Sequence, residues 1–138
     1  MTAPLSTDAH LWLESALRER AWARVGLREG YYAQACFSCQ QALEKVLKAF
    51  LLAHGVPFPK THELLRLVAL CSDLDSGVQR FEEDARNLDG YYVSTRYPDL
   101  ASEHEYTKEE TEEALRVVDG VLAGLEPIIR GKLSEQTP

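Results

Sequence analysis

The sequence predicts an all-α domain, an up-and-down four-helix bundle with one additional short helix. Apolar residues recur at three- and four-residue spacing through most of the chain, and no segment shows the period of two that marks a strand. The 138 residues correspond to one ordinary domain. We therefore expect a single helical domain, with its core over about residues 8–130 and a frayed tail over 131–138.

Composition limits the class of protein. Hydrophobic residues make up 45% and charged residues 27%, as in globular proteins. No apolar run approaches the ~20 residues that cross a membrane, and the first ten residues lack the basic and apolar regions of a signal peptide. Three cysteines fit a reducing cytosol better than a disulfide scaffold. We expect a cytoplasmic protein whose net charge of −7 disfavours nucleic-acid binding over the whole surface.

The first helix is predicted over about Ala9–Arg28. The cluster Ser6–Asp8 consists of N-cap residues, and Gly26 and Gly30 mark the exit. Its core stripe is predicted at four-residue spacing, broadened by the two tryptophans: Leu13, Leu17, Ala21 and Val25, with Trp12 and Trp22.

The second helix is predicted over Tyr31–His54, the longest stretch without proline or glycine, and ends at Gly55 and Pro57. It is apolar around much of its circumference, so several neighbours must cover it. We expect it to be the central helix of the bundle.

Cys36 and Cys39 lie three residues apart on this helix and invite a zinc or redox interpretation. A structural zinc site needs four ligands, and no second Cys/His pair follows. Residues three apart on a helix are too far from each other for a relaxed disulfide. We expect both to be small core residues, with no metal or cofactor bound.

Two further helices are predicted before Pro98. Thr61 is predicted to cap a short helix over His62–Cys71. The next helix begins at Leu74 or Val78 and runs through Tyr92, with apolar residues alternately four and three apart.

The last helix opens with a capping box. Thr107 and Glu110 have the spacing at which each side chain can bond the other residue's backbone N–H. Pro127 is expected to kink or end this helix, and 133–138 is expected to fray.

Three blocks of the sequence resemble the HEPN domain family: AQACFSCQQALEKVLKA over 33–49, GVPFPKTHEL over 55–64, and LDGYYVSTRYPD over 88–99. The spacing among the blocks also fits, so the resemblance covers about residues 8–130. It implies a helical bundle that commonly forms homodimers. It also implies a partner, because many such proteins are encoded beside a minimal nucleotidyltransferase and act with it as toxin–antitoxin systems.

Some members of this family are metal-independent endoribonucleases, with an arginine followed after four to six residues by a histidine. This sequence departs from that pattern, because His104 falls one residue too late after Arg96 and no other arginine has the spacing. Tyrosine, with a pKa of about 10, is a poor substitute for histidine as a general acid or base. The departure favours a nucleotide- or RNA-binding module. The alternatives are an endoribonuclease using Arg96 with His104, and a structural dimer without a ligand.

Arg96 is the principal predicted site residue. Its guanidinium could grip a phosphate while Tyr92 stacks on a base. Alternatively, Arg96 pairs with Asp99 or Glu103, or caps its own helix.

Three residues of the first half complete the predicted nucleotide site: His62, Lys48 and Lys45. His62 could instead fix the loop before it against the bundle. Glu44 lies four residues before Lys48 and can pair with it. The two lysines could then belong to a solvated polar strip.

Overall fold

A computed structural model describes residues 2–91 and 105–136, with side chains from Thr7 onward. These residues form five α-helices and one 3-10 helix, and none of them lies in a strand. The helices are α1 (Thr2–Glu29), α2 (Tyr32–Ala53), α3 (Leu64–Leu74), the 3-10 helix (Ser76–Phe81), α4 (Glu82–Asp89) and α5 (Lys108–Glu135). The predicted all-α fold, a helical bundle with an additional short helix, is confirmed.

Helix α2 is the centre of the bundle, as predicted. It packs against α1, α3, α4 and α5, and from Ala42 to Ala53 only Lys45 is less than buried. A helix buried on all sides must carry apolar residues on all sides, which is why its sequence shows no clear polar face. The few polar residues it does bury are therefore conspicuous.

Two glycines end α1 and α2 in the same way. Gly30 and Gly55 have positive φ, at 83° and 77°. After α2, the N–H of Gly55 bonds the carbonyl of Leu52 at 2.9 Å, and the N–H of Val56 bonds that of Leu51 at 2.9 Å. This is a Schellman motif, which needs a left-handed residue and so favours glycine. Because only two residues separate α1 from α2, the chain turns straight back on itself.

The start and inner face of α1 differ from the prediction. The helix begins at Thr2, so the predicted cap cluster Ser6–Asp8 lies inside it. Its buried residues are Ala9, Leu13, Ala16, Ala23 and Gly26, and three of them, Ala9, Ala16 and Ala23, lie seven apart. A seven-residue repeat drifts only ~20° around a helix, whereas a four-residue repeat drifts ~40° per step. The predicted stripe therefore rotates out of the core, and Ala21 and Val25 are exposed.

The ends of α3 and α4 also differ. Helix α3 begins at Leu64 and runs to Leu74. Its N-cap residue, Glu63, makes no capping hydrogen bond with its side chain. Its first N–H groups are bound by a distant residue, since the Asp89 carboxylate accepts from Leu64 at 2.8 Å and from Leu65 at 3.4 Å. The predicted fourth helix is divided into the 3-10 helix and α4, and α4 ends at Asp89. Tyr92, its predicted end, lies outside the described residues.

Helix α5 begins with the predicted capping box. Thr107 Oγ1 accepts from the Glu110 N–H at 3.1 Å, and Glu110 Oε1 accepts from the Thr107 N–H at 3.0 Å. Pro127 does not end the helix, which continues to Glu135. Pro127 and Ala123, whose carbonyl loses its partner, are both exposed, so water can replace the missing bond.

The chain does not fray at residue 133, where the tail was predicted to begin. Helix α5 includes residues 133–135, and the Gln136 side chain donates to the Ala53 carbonyl at 2.9 Å. Residues 137 and 138 lie outside the described part of the chain. Within that part, no helix is long and apolar enough to cross a membrane.

Candidate functional site

The buried face of α2 carries one group of charged and polar side chains, which we call the Glu44 cluster: Gln40, Glu44 and Lys48 of α2, and His62 of the loop before α3. Glu44 and Lys48 are the only charged residues that the described part of the chain buries, with side chains 4% and 6% exposed. The spacing of four residues places Gln40, Glu44 and Lys48 on one side of the helix. Residue 62 reaches them because the loop after α2 folds back along that side.

The Glu44 carboxylate is the centre of this cluster. Its Oε2 accepts from Lys48 Nζ at 2.9 Å. Nδ1 of His62 lies 3.1 and 3.3 Å from the two carboxylate oxygens. Gln40 Nε2 donates to Glu44 Oε1 at 3.5 Å and to the backbone carbonyl of His62 at 3.3 Å. The carboxylate therefore has donors on both oxygens, which a buried charge requires.

Two aromatic rings cover Lys48. Its Nζ lies 5.3 Å from the ring centroid of Trp12 on α1 and 4.8 Å from that of Phe58 in the loop. The two rings meet edge to face, with centroids 5.1 Å apart. Both aromatic faces attract the ammonium group, so Lys48 is fixed between Glu44 and two rings. The pairing of Lys48 with Glu44 agrees with their spacing of four residues. Lys48 is buried, however, so it does not belong to the solvated polar strip that the sequence suggested.

Lys45 lies apart from this cluster. Its Nζ donates to Ser15 at 2.9 Å and to Glu19 at 3.2 Å, both on α1. It thus joins α2 to α1, whereas Lys48 joins α2 to the loop before α3. The structure brings His62 and Lys48 together around Glu44 and leaves Lys45 on a different face of α2.

His62 is the accessible member of the cluster. Its side chain is 56% exposed although the glutamate it pairs with is buried. The ring and the backbone carbonyl of His62 both contact α2 side chains, so His62 does fix the loop against the bundle. A histidine held at one nitrogen by a carboxylate has a defined orientation and presents its other edge in a fixed direction.

Comparison with known proteins identifies the family of this chain. The family model of the HEPN domain matches residues 9–127. The chain belongs to the HEPN family. This match confirms the family resemblance carried by the three sequence blocks. The matched span also contains the residues of the Glu44 cluster.

Three relatives show how closely other proteins match this HEPN domain. The crystal structure of TT1696 from Thermus thermophilus has a TM-score of 0.76 and 40% identity, covering 86% of this chain and 96% of that one. The structure of ST0689, described as an archaeal HEPN homologue, has a TM-score of 0.72 and 28% identity, covering 88% and 97%. A Methanocaldococcus jannaschii protein named "Putative toxin MJ1304" is 25% identical over 136 residues, 90% of each chain.

The third HEPN block contributes residues that the structure does not describe. Tyr92, Arg96 and His104, predicted from that block and the loop after it, lie outside the described residues. Tyr91, just before them, packs edge to face against Tyr106, with ring centroids 5.1 Å apart. Burial raises the pKa of Tyr91 to about 12.

Sequence reasoning named Glu44 only as a partner for Lys48 and gave Gln40 no role. The signal that could have found both is the run Gln40, Glu44, Lys48, three polar residues four apart on a largely apolar helix. Polar residues repeated on one line of a buried helix must find partners there. The identity of those partners, 18 or more residues away, is not contained in the spacing.

Two cysteines of this HEPN domain, Cys36 and Cys39, are core residues, as predicted. Cys36, Cys39 and Cys71 are free and buried. Burial raises the pKa of Cys36 to about 11 and that of Cys71 to about 12, and it raises the pKa of Cys39 as well. A buried thiol with a raised pKa is a poor nucleophile and metal ligand. Among the described residues, no three His, Cys, Asp or Glu side chains group as metal ligands would.

Proposed function

We propose that this HEPN protein is a binding module that holds a phosphate group of a nucleotide or RNA beside the exposed edge of His62. In this proposal the positive charge of Arg96 binds the phosphate, and Tyr92 stacks on a base. Lys48 and Lys45 do not contact the ligand; they hold α2 against its neighbours. The module acts with a separately encoded minimal nucleotidyltransferase, in the manner of a toxin–antitoxin pair, and forms a homodimer.

The observation that carries this proposal is the burial of the Glu44–Lys48 pair beneath a half-exposed histidine. Taking two charges out of water is costly, and a well-packed apolar pair of similar volume is often at least as stable. Stability alone therefore does not explain why this chain buries a charged pair, which favours a functional role for the cluster. Because Glu44 holds Nδ1 of His62, the exposed ring edge is preorganised to meet a ligand.

Binding is tested by isothermal titration calorimetry with ATP, GTP and a short single-stranded RNA. We expect Arg96→Ala and His62→Ala each to weaken binding at least tenfold. The matched controls are Arg86→Ala, a half-exposed arginine on α4, and His10→Ala. His10 is also half exposed and also lies beside a glutamate, Glu14 at 3.6 Å. No binding by the wild type, or equal losses in the control variants, would refute the proposal.

The nucleotidyltransferase partnership is tested by co-expression. The protein with an affinity tag is produced together with the minimal nucleotidyltransferase encoded beside its gene, and both are purified at physiological salt. We expect co-purification in a fixed ratio and a higher melting temperature for the complex, because a partner that binds only the folded state stabilises it. Independent elution of the two proteins would contradict this part of the proposal.

A second candidate function is a metal-independent endoribonuclease, the activity that some HEPN proteins have; the Methanocaldococcus jannaschii relative is named a putative toxin, and its name states no activity. Arg96 and His104 are its proposed catalytic pair. Incubation with RNA in EDTA distinguishes the two functions. Cleavage that is lost in both Arg96→Ala and His104→Ala supports the nuclease, and binding without cleavage supports the binding module.

A further inference from the structure

The hydrogen bond between His62 and Glu44 decides which nitrogen of the histidine ring carries a proton. Nδ1 of His62 lies 3.1 and 3.3 Å from the two carboxylate oxygens of Glu44. An ionised carboxylate only accepts hydrogen bonds, whereas a neutral imidazole donates from one nitrogen and accepts at the other. Nδ1 is therefore the donor if Glu44 is ionised, and the surroundings of Glu44 decide that point.

The neighbours of Glu44 keep its carboxylate ionised. Lys48 Nζ, 2.9 Å from Oε2, has only donors, and its positive charge stabilises the anion. The NH2 group of Gln40 faces Glu44 Oε1 at 3.5 Å and the His62 carbonyl at 3.3 Å, which also only accepts. The Gln40 oxygen in turn accepts from Gln41 Nε2 at 2.6 Å, so this amide is not reversed. The proton between Glu44 and His62 therefore belongs to Nδ1.

The Lys48 ammonium group also removes a reason for His62 to be charged. Glu44 and Lys48 are both almost fully buried, and their charges cancel. Burial of the carboxylate therefore requires no second positive charge on His62. The neutral ring then donates from Nδ1 and accepts at Nε2. Because the His62 side chain is 56% exposed, a ligand can reach this ring.

An acceptor at Nε2 selects the chemistry of the group that it meets. A phosphate oxygen also only accepts, so it does not bond to Nε2 of a neutral ring. The partner must carry an O–H or N–H group. Within an RNA strand the 3′ and 5′ oxygens are esterified, so the donor that the sugar retains is the 2′-hydroxyl, which lies beside the phosphate. That hydroxyl is what allows a protein site to distinguish RNA from DNA.

We propose that His62 distinguishes RNA from DNA in this protein, because its Nε2 accepts a hydrogen bond from the ribose 2′-hydroxyl of the bound strand. The assignment rests on the proposed function, in which a phosphate of that strand lies beside His62. It adds that the strand is RNA and that the histidine recognises its sugar rather than its phosphate. Glu44 and Gln40 are positioning residues, since they act on the ligand only through His62.

Fluorescence anisotropy with three labelled oligoadenylates of equal length tests this assignment. The three strands are RNA, DNA and 2′-fluoro-RNA, which keeps the sugar conformation of RNA but has no hydroxyl to donate. The measurement is made with the full chain at about pH 8, where an ordinary histidine is neutral. We expect the RNA to bind about tenfold more tightly than either other strand, which is the contribution of one hydrogen bond.

His62→Asn removes the acceptor and keeps a donor for Glu44, because the shorter amide reaches the position of Nδ1 but not that of Nε2. We expect the RNA-to-DNA affinity ratio of this variant to fall to about one. The double variant Glu44→Gln, Lys48→Met should also lower the ratio, because a glutamine either donates or accepts at Nδ1 and no longer fixes the proton there. His10→Asn is the matched control and should leave the ratio unchanged, since His10 also lies beside a glutamate, Glu14 at 3.6 Å. Because the ratio compares two strands on one preparation, it does not depend on the folded fraction of a variant.

The outcomes separate this inference from the proposed function. Equal binding of the RNA and DNA strands refutes the role of His62 and leaves phosphate binding standing, as does a preference for RNA that His62→Asn retains. Equal binding of the RNA and 2′-fluoro strands refutes recognition of the hydroxyl, and an unchanged ratio in the double variant refutes the positioning role of Glu44. Failure of every strand to bind overturns this inference, and it overturns the proposed function as well if ATP and GTP also fail to bind.

Discussion

Replacing Lys48 with methionine is expected to lower the free energy of unfolding by about 3 kcal/mol. The change removes the ammonium group 2.9 Å from Glu44 Oε2 and leaves a buried carboxylate without its cation. Breaking a buried ion pair from one side costs ~3–5 kcal/mol. The lower end applies here because Gln40 and His62 still donate to the carboxylate. Methionine also keeps an apolar stem against Trp12 and Phe58.

Urea denaturation followed by far-ultraviolet circular dichroism measures this loss. With a slope of ~1–3 kcal/mol per molar urea, a change of about 3 kcal/mol moves the midpoint by about 1–3 M. Lys45→Met is the matched control, because Lys45 also pairs with a glutamate but its side chain is 22% exposed. We expect that variant to lose about 1 kcal/mol or less.

The double variant Glu44→Gln, Lys48→Met separates charge from packing. It removes both charges and keeps an acceptor for Gln40 and His62, so it should be at least about 1 kcal/mol more stable than Lys48→Met alone. The electrostatic explanation would be refuted if the double and single variants had equal stability. Equal losses in Lys48→Met and Lys45→Met would refute it as well.

Four further predictions concern stability and reactivity. Asp89→Ala should lower the free energy of unfolding by about 1–2 kcal/mol, because Leu64 and Leu65 lose their acceptor; Asp73→Ala, at an exposed position, should change it by less than about 0.5 kcal/mol in the same urea assay. Gly26→Ala should destabilise the protein because its Cβ meets Ala35 at 2.9 Å, whereas Gly120→Ala, with open space around it, should stabilise it by up to about 1 kcal/mol. The three thiols should react slowly with an aromatic disulfide reagent at pH 8 and rapidly in urea. The folded pKa of Cys71, about 12, lies above the ordinary value of 9.0. Its contribution to stability is therefore complete below pH 9 and lost as pH rises towards 12, so Cys71→Ala should show a flatter decline over that interval.

The features that the sequence predicted well are those encoded within one turn of chain. The capping box needs only Thr107 and Glu110, three residues apart, and the Schellman ends need only a glycine after an apolar helix. The Glu44–Lys48 pair also follows from a spacing of four. Each depends on local geometry, so neighbouring residues contain all the necessary information.

The features that were missed depend on distant parts of the chain. Asp89 caps α3 from 25 residues away. The local sequence instead pointed to Thr61, but the Thr61 hydroxyl accepts only from the Glu63 N–H, at 3.1 Å, which lies before the helix. The inner face of α1 was assigned to its larger apolar residues, whereas the close approach at Gly26 selects small ones. Periodicity shows that a helix has an apolar stripe but does not decide which of two stripes a neighbour will cover.

Hydrogen bonds between distant residues connect the Glu44 cluster to the part of the chain that carries Arg96. Glu44 holds His62, and the N–H of Leu64, two residues later, is bound by Asp89 at the end of α4. Arg96 follows Asp89 by seven residues, which span at most ~25 Å of extended chain. Asp89 thus ties the start of the Arg96 segment to the helix that follows His62. The same carboxylate that caps α3 therefore limits how far the proposed phosphate-binding arginine can lie from the histidine, and Asp89→Ala should weaken nucleotide binding as well as stability.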